Sequence, residues 1–140
     1  MSVYLDASVL VAFFLDDPRG DRVAAFLRGA GSVVIVSDFA AAEFSSAVAR
    51  LVRMGELTPE QARVLFESLD IWTGRAAERA ESGTADIAAA TGYLRRLDLN
   101  LRTPDAINLA IAARLGATLY TFDDGMAACA RTLGIPLTPP

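Results

Sequence analysis

SVYLDAS, from Ser2 to Ser8, and TLYTFDD, from Thr118 to Asp124, are the two stretches that decide the fold. In each, an apolar run rich in strand-forming residues ends at a carboxylate, which is Asp6 in the first and Asp123 in the second. A third short run, Val33–Val36, is rich in β-branched residues and has the same strand-forming character. We therefore predict strands over Val3–Leu5, Val33–Val36 and Thr118–Phe122.

Helix start and stop signals occupy the segments between these strands. Asp17-Pro18 predicts an N-cap followed by the first helical residue, with Gly29 as the terminator. The sequence TPEQ from Thr58 is a capping box with proline at the first helical position, and it predicts a helix to about Leu69. Further helices are predicted from Ser37 or Asp38 to Met54, from Thr84 toward Leu97, from Thr103 to Gly116 and from about Asp124 to Leu133. Helices between strands favour parallel pairing, so we predict an α/β sandwich with a central parallel sheet, as one domain over residues 1–140.

The composition excludes several kinds of site. The chain has 140 residues and no histidine, which removes serine–histidine triads, histidine zinc sites and RNA cleavage by paired histidines. Cys129 is the one cysteine, so an intramolecular disulfide and a cysteine zinc cage are excluded, and we assign it to core packing. The longest apolar run, Val9–Leu15, is too short to span a membrane and no basic segment precedes it, so we expect a cytoplasmic protein.

A hydrophobic content of 53% also predicts an interface, because a small monomer cannot readily bury that many apolar side chains. Phe13, Phe14 and Leu15, which leave a first helix that begins at about Ser8, are expected among the interface residues.

Four acids lie where an open parallel sheet binds its ligands, at the carboxyl ends of strands. Asp6 and Asp123 follow strands directly. Glu43 is in the second turn of the helix after the second strand, with apolar residues four positions before and after it. Asp105 is in the first turn of the helix that begins TPDAINLA.

Each of these acids also has a structural explanation. Asp6 and Asp123 could be N-caps, and Asp105 suits the helix dipole. Glu43 could extend to solvent or meet an arginine. Two other acids fit helix starts and are assigned a structural role alone: Asp38 and Asp86.

Taken together, the four acids indicate a cation site. Carboxylates on one edge of a sheet repel by about 4 kcal/mol per close pair at an effective dielectric near 20, which a fold tolerates when a positive group lies among them. Oxygen ligands without nitrogen or sulfur favour Mg²⁺ or Mn²⁺. The hydroxyls of Ser8 and Thr121 flank two of the acids. A divalent ion there could polarise a phosphoryl oxygen and activate water without histidine.

Four stretches resemble a known family: VYLDASVLVAFFL, SDFAAAEFSSAVAR, LRTPDAINLAIAARLGA and TLYTFDDGMAACARTLGI. They are similar to the PIN-domain nucleases, and more narrowly to the VapC-type toxins of VapBC toxin–antitoxin systems. The resemblance covers nearly the whole chain, and the four motifs in this order are jointly specific. Residues Asp70 to Ser82 match nothing firmly.

The resemblance implies a PIN-like three-layer sandwich and a metal-dependent endoribonuclease. Asp6, Glu43, Asp105 and Asp123 would be the acidic quartet that holds Mg²⁺ or Mn²⁺, with Asp6 and Asp105 as the principal ligands. Ser8 and Thr121 would support the site. Asn108 stands where many relatives carry histidine, which puts a proton-shuttling role at that position in doubt. The implied partners are RNA, a second copy in a homodimer, and a small DNA-binding antitoxin.

Two other readings stay open. A haloacid-dehalogenase-like phosphatase also begins with an aspartate at a strand end, but it needs a second aspartate where this chain has Ser8, and a lysine, which this chain lacks. A catalytically inactive PIN domain that only binds partners is the third. The net charge of −4 is unusual for a nucleic-acid-binding protein. Arginines that could offset it locally are Arg50, Arg53 and Arg102.

Overall fold

The chain folds around one parallel sheet. In a computed structural model, which describes residues 1–139, the strands are β1 (Ser2–Leu5), β2 (Val33–Ser37), β3 (Glu78–Ala80) and β4 (Thr118–Tyr120). They lie in the order β3-β2-β1-β4 and every pairing is parallel. β1 is therefore central, and it is almost wholly buried, as expected of a strand covered on both faces.

Helices cover both faces of this sheet. Their bounds are α1 (Ala7–Phe14), α2 (Gly20–Gly29), α3 (Asp38–Arg53), α4 (Pro59–Ala76), α5 (Thr84–Arg95), α6 (Thr103–Leu115) and α7 (Asp124–Leu133). Strand side chains alternate between the two faces. Val3 and Leu5 pack in a core with α1 to α4, whereas Tyr4 packs in a second core with α5 to α7. The predicted three-layer α/β sandwich is confirmed.

Most of the predicted helix ends are found where local chemistry places them. Thr58 and Gln61 form the capping box that opens α4, with bonds of 2.9 and 3.1 Å. Ser37 caps α3 by accepting from the backbone N–H of Ala40. Gly116 ends α6 with φ at +61°, a left-handed conformation that glycine adopts without strain. Within α6, every residue from 106 to 112 is buried, because this helix packs against β4, α5 and α7.

The segment from Asp70 to Ser82, which matched no family motif firmly, contains two differences from prediction. α4 does not end near Leu69 but continues to Ala76, and β3 follows it at the edge of the sheet. β3 has three residues, two of them exposed, so it carries no apolar run from which a strand could be predicted.

Two predicted boundaries are also wrong. α2 begins at Gly20 instead of Pro18, because Asp17 accepts from the backbone N–H of Arg19 and forms a turn before the helix. A Cβ at Gly20 would lie 2.7 Å from the carbonyl oxygen of Ala12, so glycine allows α2 to approach α1. β4 ends at Tyr120, two residues before the predicted Phe122.

Within residues 1–139, none of the helices combines the length and the apolar content that a membrane crossing requires.

Candidate metal centre

Strand register brings the ends of β1 and β4 together. Leu5 pairs with Tyr120, and the backbone N–H of Asp6 donates to the Tyr120 carbonyl at 3.3 Å. Asp6 is only 2% exposed, yet its carboxylate has no arginine partner within the described chain. It caps α1 instead, accepting from the backbone N–H of Val9 at 3.1 Å. The predicted N-cap is therefore present, and its hydrogen bond engages one carboxylate oxygen, Oδ1.

Two hydroxyls hold the rest of the Asp6 carboxylate. Ser8 Oγ donates to Asp6 Oδ1 at 2.6 Å and accepts from the backbone N–H of Phe122 at 2.9 Å. Thr121 Oγ1 donates to Asp6 Oδ2 at 2.5 Å and accepts from the backbone N–H of Asp123 at 3.0 Å. Each hydroxyl thus links Asp6 to the backbone just after β4, because it accepts from a backbone N–H there and donates to the carboxylate. Ser8 and Thr121 lie beside the acid as predicted, with their protons directed at it.

Glu43 reaches the same edge of the sheet from α3. It is partly buried, and the amide of Asn108 on α6 donates to its Oε1 at 2.6 Å. Burial raises the pKa of Glu43, the bond from Asn108 opposes that rise, and the charges of Asp6 and Asp105 add to it. The predicted alternatives for Glu43, an ion pair with arginine or full extension into solvent, are not what the structure shows.

Asp105 and Asp123 complete the set from the starts of α6 and α7. Asp105 accepts from the backbone N–H of Arg102 at 3.2 Å, and Asp123 caps α7 by accepting from the N–H of Met126 at 2.8 Å. Each of these bonds engages one carboxylate oxygen. The other oxygen accepts no hydrogen bond from residues 1–139.

The electrostatics show that the acids act on one another. Burial is the main reason why the pKa of Asp6 is raised above its ordinary value, and the charge of Asp123 raises it further. The pKa of Asp105 is also raised, first by burial and then by Asp123. Together with Glu43, these residues form an acid edge, by which we mean Asp6, Glu43, Asp105 and Asp123. Carboxylates whose charges raise the pKa of a neighbour in this way are held together against their repulsion.

A scan against known families finds a match to the PIN domain over residues 3–132. The chain belongs to the PIN-domain family. It is 33% identical over 142 residues to Ribonuclease VapC46 of Mycobacterium tuberculosis, and the alignment covers 99% of this chain and 98% of that one. This family membership confirms the sequence resemblance.

Solved structures share the fold of this PIN domain at lower identity. One is VapC20 of Mycobacterium tuberculosis, described as a toxin that cleaves the sarcin–ricin loop, with a TM-score of 0.72, 19% identity and coverage of 90% of this chain and 93% of that one. Another is VapBC2 of Rickettsia felis bound to a DNA fragment from its promoter, with a TM-score of 0.69, 15% identity and coverage of 98% and 96%.

The donor chemistry of this PIN domain suits a hard divalent cation. The acid edge offers carboxylate oxygens alone, of the kind that Mg²⁺ and Mn²⁺ bind, and no arginine forms an ion pair with these acids within residues 1–139. Within the same described residues, no three acidic, cysteine or histidine side chains lie close enough together to coordinate an ion in their present positions. The acids therefore share an edge without forming a closed cage, and binding would draw their side chains inward.

The remaining predicted residues fall into two groups. Asp86 acts at a helix start as expected, since it accepts from the N–H of Gly83 just before α5. Asp38 is the first residue of α3, but its side chain accepts from the N–H of Ser82, 44 positions along the chain, and Ser37 is the cap. Asp124 is the first residue of α7 and is exposed. The arginines proposed to offset the charge are Arg50, Arg53 and Arg102, all exposed. Arg102 does act on the acid edge, since its charge lowers the pKa of Asp105 against the effect of burial.

The hydrogen bonds that support Glu43 from behind were not predicted from the sequence. Asn108 also accepts from the hydroxyl of Tyr4 at 2.6 Å, and Tyr4 lies 2.6 Å from Ser37 Oγ. Burial raises the pKa of the Tyr4 hydroxyl, which keeps it a hydrogen-bond donor. A polar residue within the buried run of α6 was the available signal, but its partners are 65 and 104 positions away.

Proposed function

We propose that this PIN domain is a metal-dependent endoribonuclease, the toxin component of a toxin–antitoxin pair. The observation that carries the proposal is the acid edge, in which Asp6 is buried and has no ion-pair partner within residues 1–139. Full-length similarity to a protein named a ribonuclease supports the choice of substrate. Family membership argues against the phosphatase alternative.

In this proposal Asp6 and Asp105 are the principal ligands of Mg²⁺ or Mn²⁺, and Glu43 and Asp123 complete the set. Such an ion, when bound, polarises a phosphoryl oxygen and lowers the pKa of water. The chain itself fixes Asp6 through the hydroxyls of Ser8 and Thr121.

Cleavage should therefore leave a 5′-phosphate and a 3′-hydroxyl. Ribonucleases that use the 2′-hydroxyl as nucleophile usually need a general base, most often histidine. This chain has no histidine. The test is mass spectrometry of fragments from an RNA incubated with the purified protein and Mn²⁺, beside a chromogenic phosphate monoester. Fragments ending in 2′,3′-cyclic phosphates would overturn the water-attack mechanism. RNA left intact while the monoester is hydrolysed would revive the phosphatase, and no reaction at all would favour an inactive, partner-binding PIN domain.

The proposed antitoxin has a suitable surface on this chain. An apolar groove of about 590 Å³ lies between α1, the end of α3 and the start of α4. We call it the α1–α4 groove, and it is lined by Val11, Phe14, Leu15, Asp16, Asp17, Leu51, Glu56, Leu57, Gln61, Val64 and Leu65. Seven of these residues are apolar and three are acids, of which Asp17 is paired with Arg19. Such a lining suits a partner segment with an apolar ridge and basic residues beside it. VapBC2 of Rickettsia felis and FitAB, two structural relatives, are complexes bound to DNA fragments.

A pair of variants on one helix tests the groove. Val64, which is 62% exposed and lines the groove, is changed to Asp, and Ile71, which is 46% exposed on α4 and outside the groove, is changed likewise as a control. Val64→Asp should cleave RNA normally but lose inhibition by the co-expressed antitoxin, whereas Ile71→Asp should keep it. Equal inhibition of both variants would remove the groove assignment.

The homodimer is also part of the proposal. Exposed apolar residues outside the α1–α4 groove include Ile71, Ile87 and Leu97. Light scattering at high micromolar concentration should give twice the monomer mass of 14.8 kDa. A monomer under those conditions would remove this claim.

A further inference from the structure

Asn108 lies where three of the elements that carry the acid edge meet. It is 2% exposed, and every hydrogen-bonding group of its amide is used. Nδ2 donates to Glu43 Oε1 at 2.6 Å and to the carbonyl of Pro104 at 3.0 Å, while Oδ1 accepts from the Tyr4 hydroxyl at 2.6 Å. The residue therefore joins β1, α3 and α6.

Chemistry fixes the direction of each bond in this network. Tyr4 has one hydroxyl proton, which goes to Asn108, so the contact of 2.6 Å with Ser37 requires Ser37 to donate to Tyr4. Turning the amide over would place Oδ1 against the Glu43 carboxylate and the Pro104 carbonyl, two acceptors. Asn108 must therefore present a donor to Glu43. Its amide oxygen accepts from Tyr4, which in turn accepts from Ser37.

We propose that Asn108 is a positioning residue, which holds the Glu43 carboxylate at the acid edge in the orientation that a divalent ion requires. This inference rests on the proposed function. The Glu43 carboxylate is at the end of a side chain with three rotatable bonds. Within residues 1–139, its hydrogen-bond donor is Asn108. Tyr4 lies on β1, two residues before Asp6, and Asp105 lies on α6, one helical turn before Asn108. Asn108 thus fixes Glu43 relative to both of the proposed principal ligands.

A purely structural role for Asn108 would be to satisfy the buried Tyr4 hydroxyl. Four variants separate the two roles. Asn108→Leu removes the donor to Glu43 and leaves the Tyr4 hydroxyl with Ser37 as its one remaining partner within residues 1–139, and Tyr4→Phe removes only the hydroxyl. The double variant Tyr4→Phe/Asn108→Leu removes both partners, which is expected to restore stability relative to Asn108→Leu. Asn108→His keeps one donor and one acceptor, because neutral imidazole has one of each.

The variants are compared by calorimetric titration with Mn²⁺, by melting temperature without metal, and by kcat and KM on RNA. Loss of a partner that orients a ligand typically lowers metal affinity or activity by about 10–100-fold. We expect a loss of that size in Mn²⁺ affinity and kcat for Asn108→Leu and for the double variant, with KM for RNA unchanged. Tyr4→Phe and Asn108→His should stay within about tenfold of the wild type, at the lower limit of that range.

The decisive result comes from the double variant. If it regains stability and also Mn²⁺ affinity, Asn108 serves only the tyrosine and the inference is wrong. Asn108→His as impaired as Asn108→Leu would also overturn it, because the donor would then not matter. A wild-type protein that neither binds Mn²⁺ nor cleaves RNA would overturn the proposed function itself, together with this inference.

Discussion

Asp6 and Asp86 are both aspartates at helix starts, and both are at most 2% exposed, yet their surroundings differ. Arg114 donates to the two oxygens of Asp86, from Nε at 2.7 Å and from Nη2 at 3.0 Å, and this contact lowers the pKa of Asp86. Asp6 accepts from hydroxyls and one backbone N–H, and burial raises its pKa. The charge of Asp86 is balanced by a guanidinium, whereas within residues 1–139 the charge of Asp6 is stabilised by dipoles alone.

The difference separates an acid whose charge is used within the fold from one that we propose to be functional. Asp86 ties the start of α5 to α6, since Arg114 also donates to the carbonyl of Glu81 at 2.9 Å. Its charge is satisfied within the chain. Asp6 has an incompletely balanced charge at an edge with three further acids, which is the electrostatic condition that a divalent cation relieves.

The largest expected difference between the two acids is in catalysis. Asp6→Asn should lower RNA cleavage by at least about 100-fold, because stabilisation by a bound metal is worth several kcal/mol. Asp86→Asn should stay within a few-fold of the wild type, since Asp86 lies outside the acid edge. Initial rates in Mn²⁺ are compared at a temperature where circular dichroism shows both variants folded. Similar losses in the two variants would mean that the comparison does not separate function from structure.

Stability without metal should change in opposite directions. Asp86→Asn removes a charged hydrogen-bond partner of Arg114 and should lower the free energy of unfolding by about 1.5–3 kcal/mol. Asp6→Asn removes a buried charge while keeping an oxygen that can cap α1, so we expect a gain of up to about 1 kcal/mol. Urea denaturation of the metal-free proteins at pH 7 measures both. A loss for Asp6→Asn as large as that for Asp86→Asn would show that the Asp6 charge is already well satisfied.

The pH dependence of these differences follows from the pKa directions. The pKa of Asp86 is below its ordinary 3.8 in the folded protein, so its contribution is present above pH 3.8 and is lost as the pH falls through the folded pKa. The pKa of Asp6 is above 3.8, so its contribution is present below pH 3.8 and is lost as the pH rises through the folded pKa.

Urea denaturation of the wild type and both variants from pH 7 to pH 3 tests these signs. The deficit of Asp86→Asn should shrink toward acid pH, and the advantage of Asp6→Asn should shrink as well, as the aspartate it replaces becomes protonated. Differences that do not change with pH would contradict the assigned pKa directions.

The smallest expected effect concerns the dipoles around Asp6. Thr121→Val removes the hydroxyl that donates to Asp6 and should cost about 1 kcal/mol. Thr73 is a matched control, because its buried Oγ1 finds no hydrogen-bond partner within residues 1–139. Thr73→Val should be neutral or slightly stabilising in thermal denaturation. Equal costs for the two substitutions would mean that the bond to Asp6 adds nothing measurable.

The sequence predicted the parts of this fold that depend on local chemistry. The capping box at Thr58, the cap at Ser37 and the glycine after α6 are local signals, and each is found in place. β3 was missed because an edge strand of three residues needs no apolar pattern. The end of α4 was missed for a related reason, since its last turn is mostly exposed.

The candidate site could be predicted only in outline. That Asp6, Glu43, Asp105 and Asp123 approach one edge follows from parallel topology, which the sequence did indicate. Locally, however, Asp6 and Asp86 look alike, and what separates them is Arg114, which is 28 residues from Asp86. The partners of Asn108 are equally remote, so no local pattern could assign them.

The central claim is that the acid edge is completed by a divalent cation. The most direct measurement is the melting temperature of the metal-free wild type as Mn²⁺ is added, beside Asp6→Asn and Asp86→Asn. At a free concentration 100 times Kd, binding adds about 2.7 kcal/mol, which corresponds to a rise of roughly 8–12 °C for a chain of this size. We predict that rise for the wild type and for Asp86→Asn, and a much smaller one for Asp6→Asn. A wild-type melting temperature that does not change in millimolar Mn²⁺ would contradict the claim.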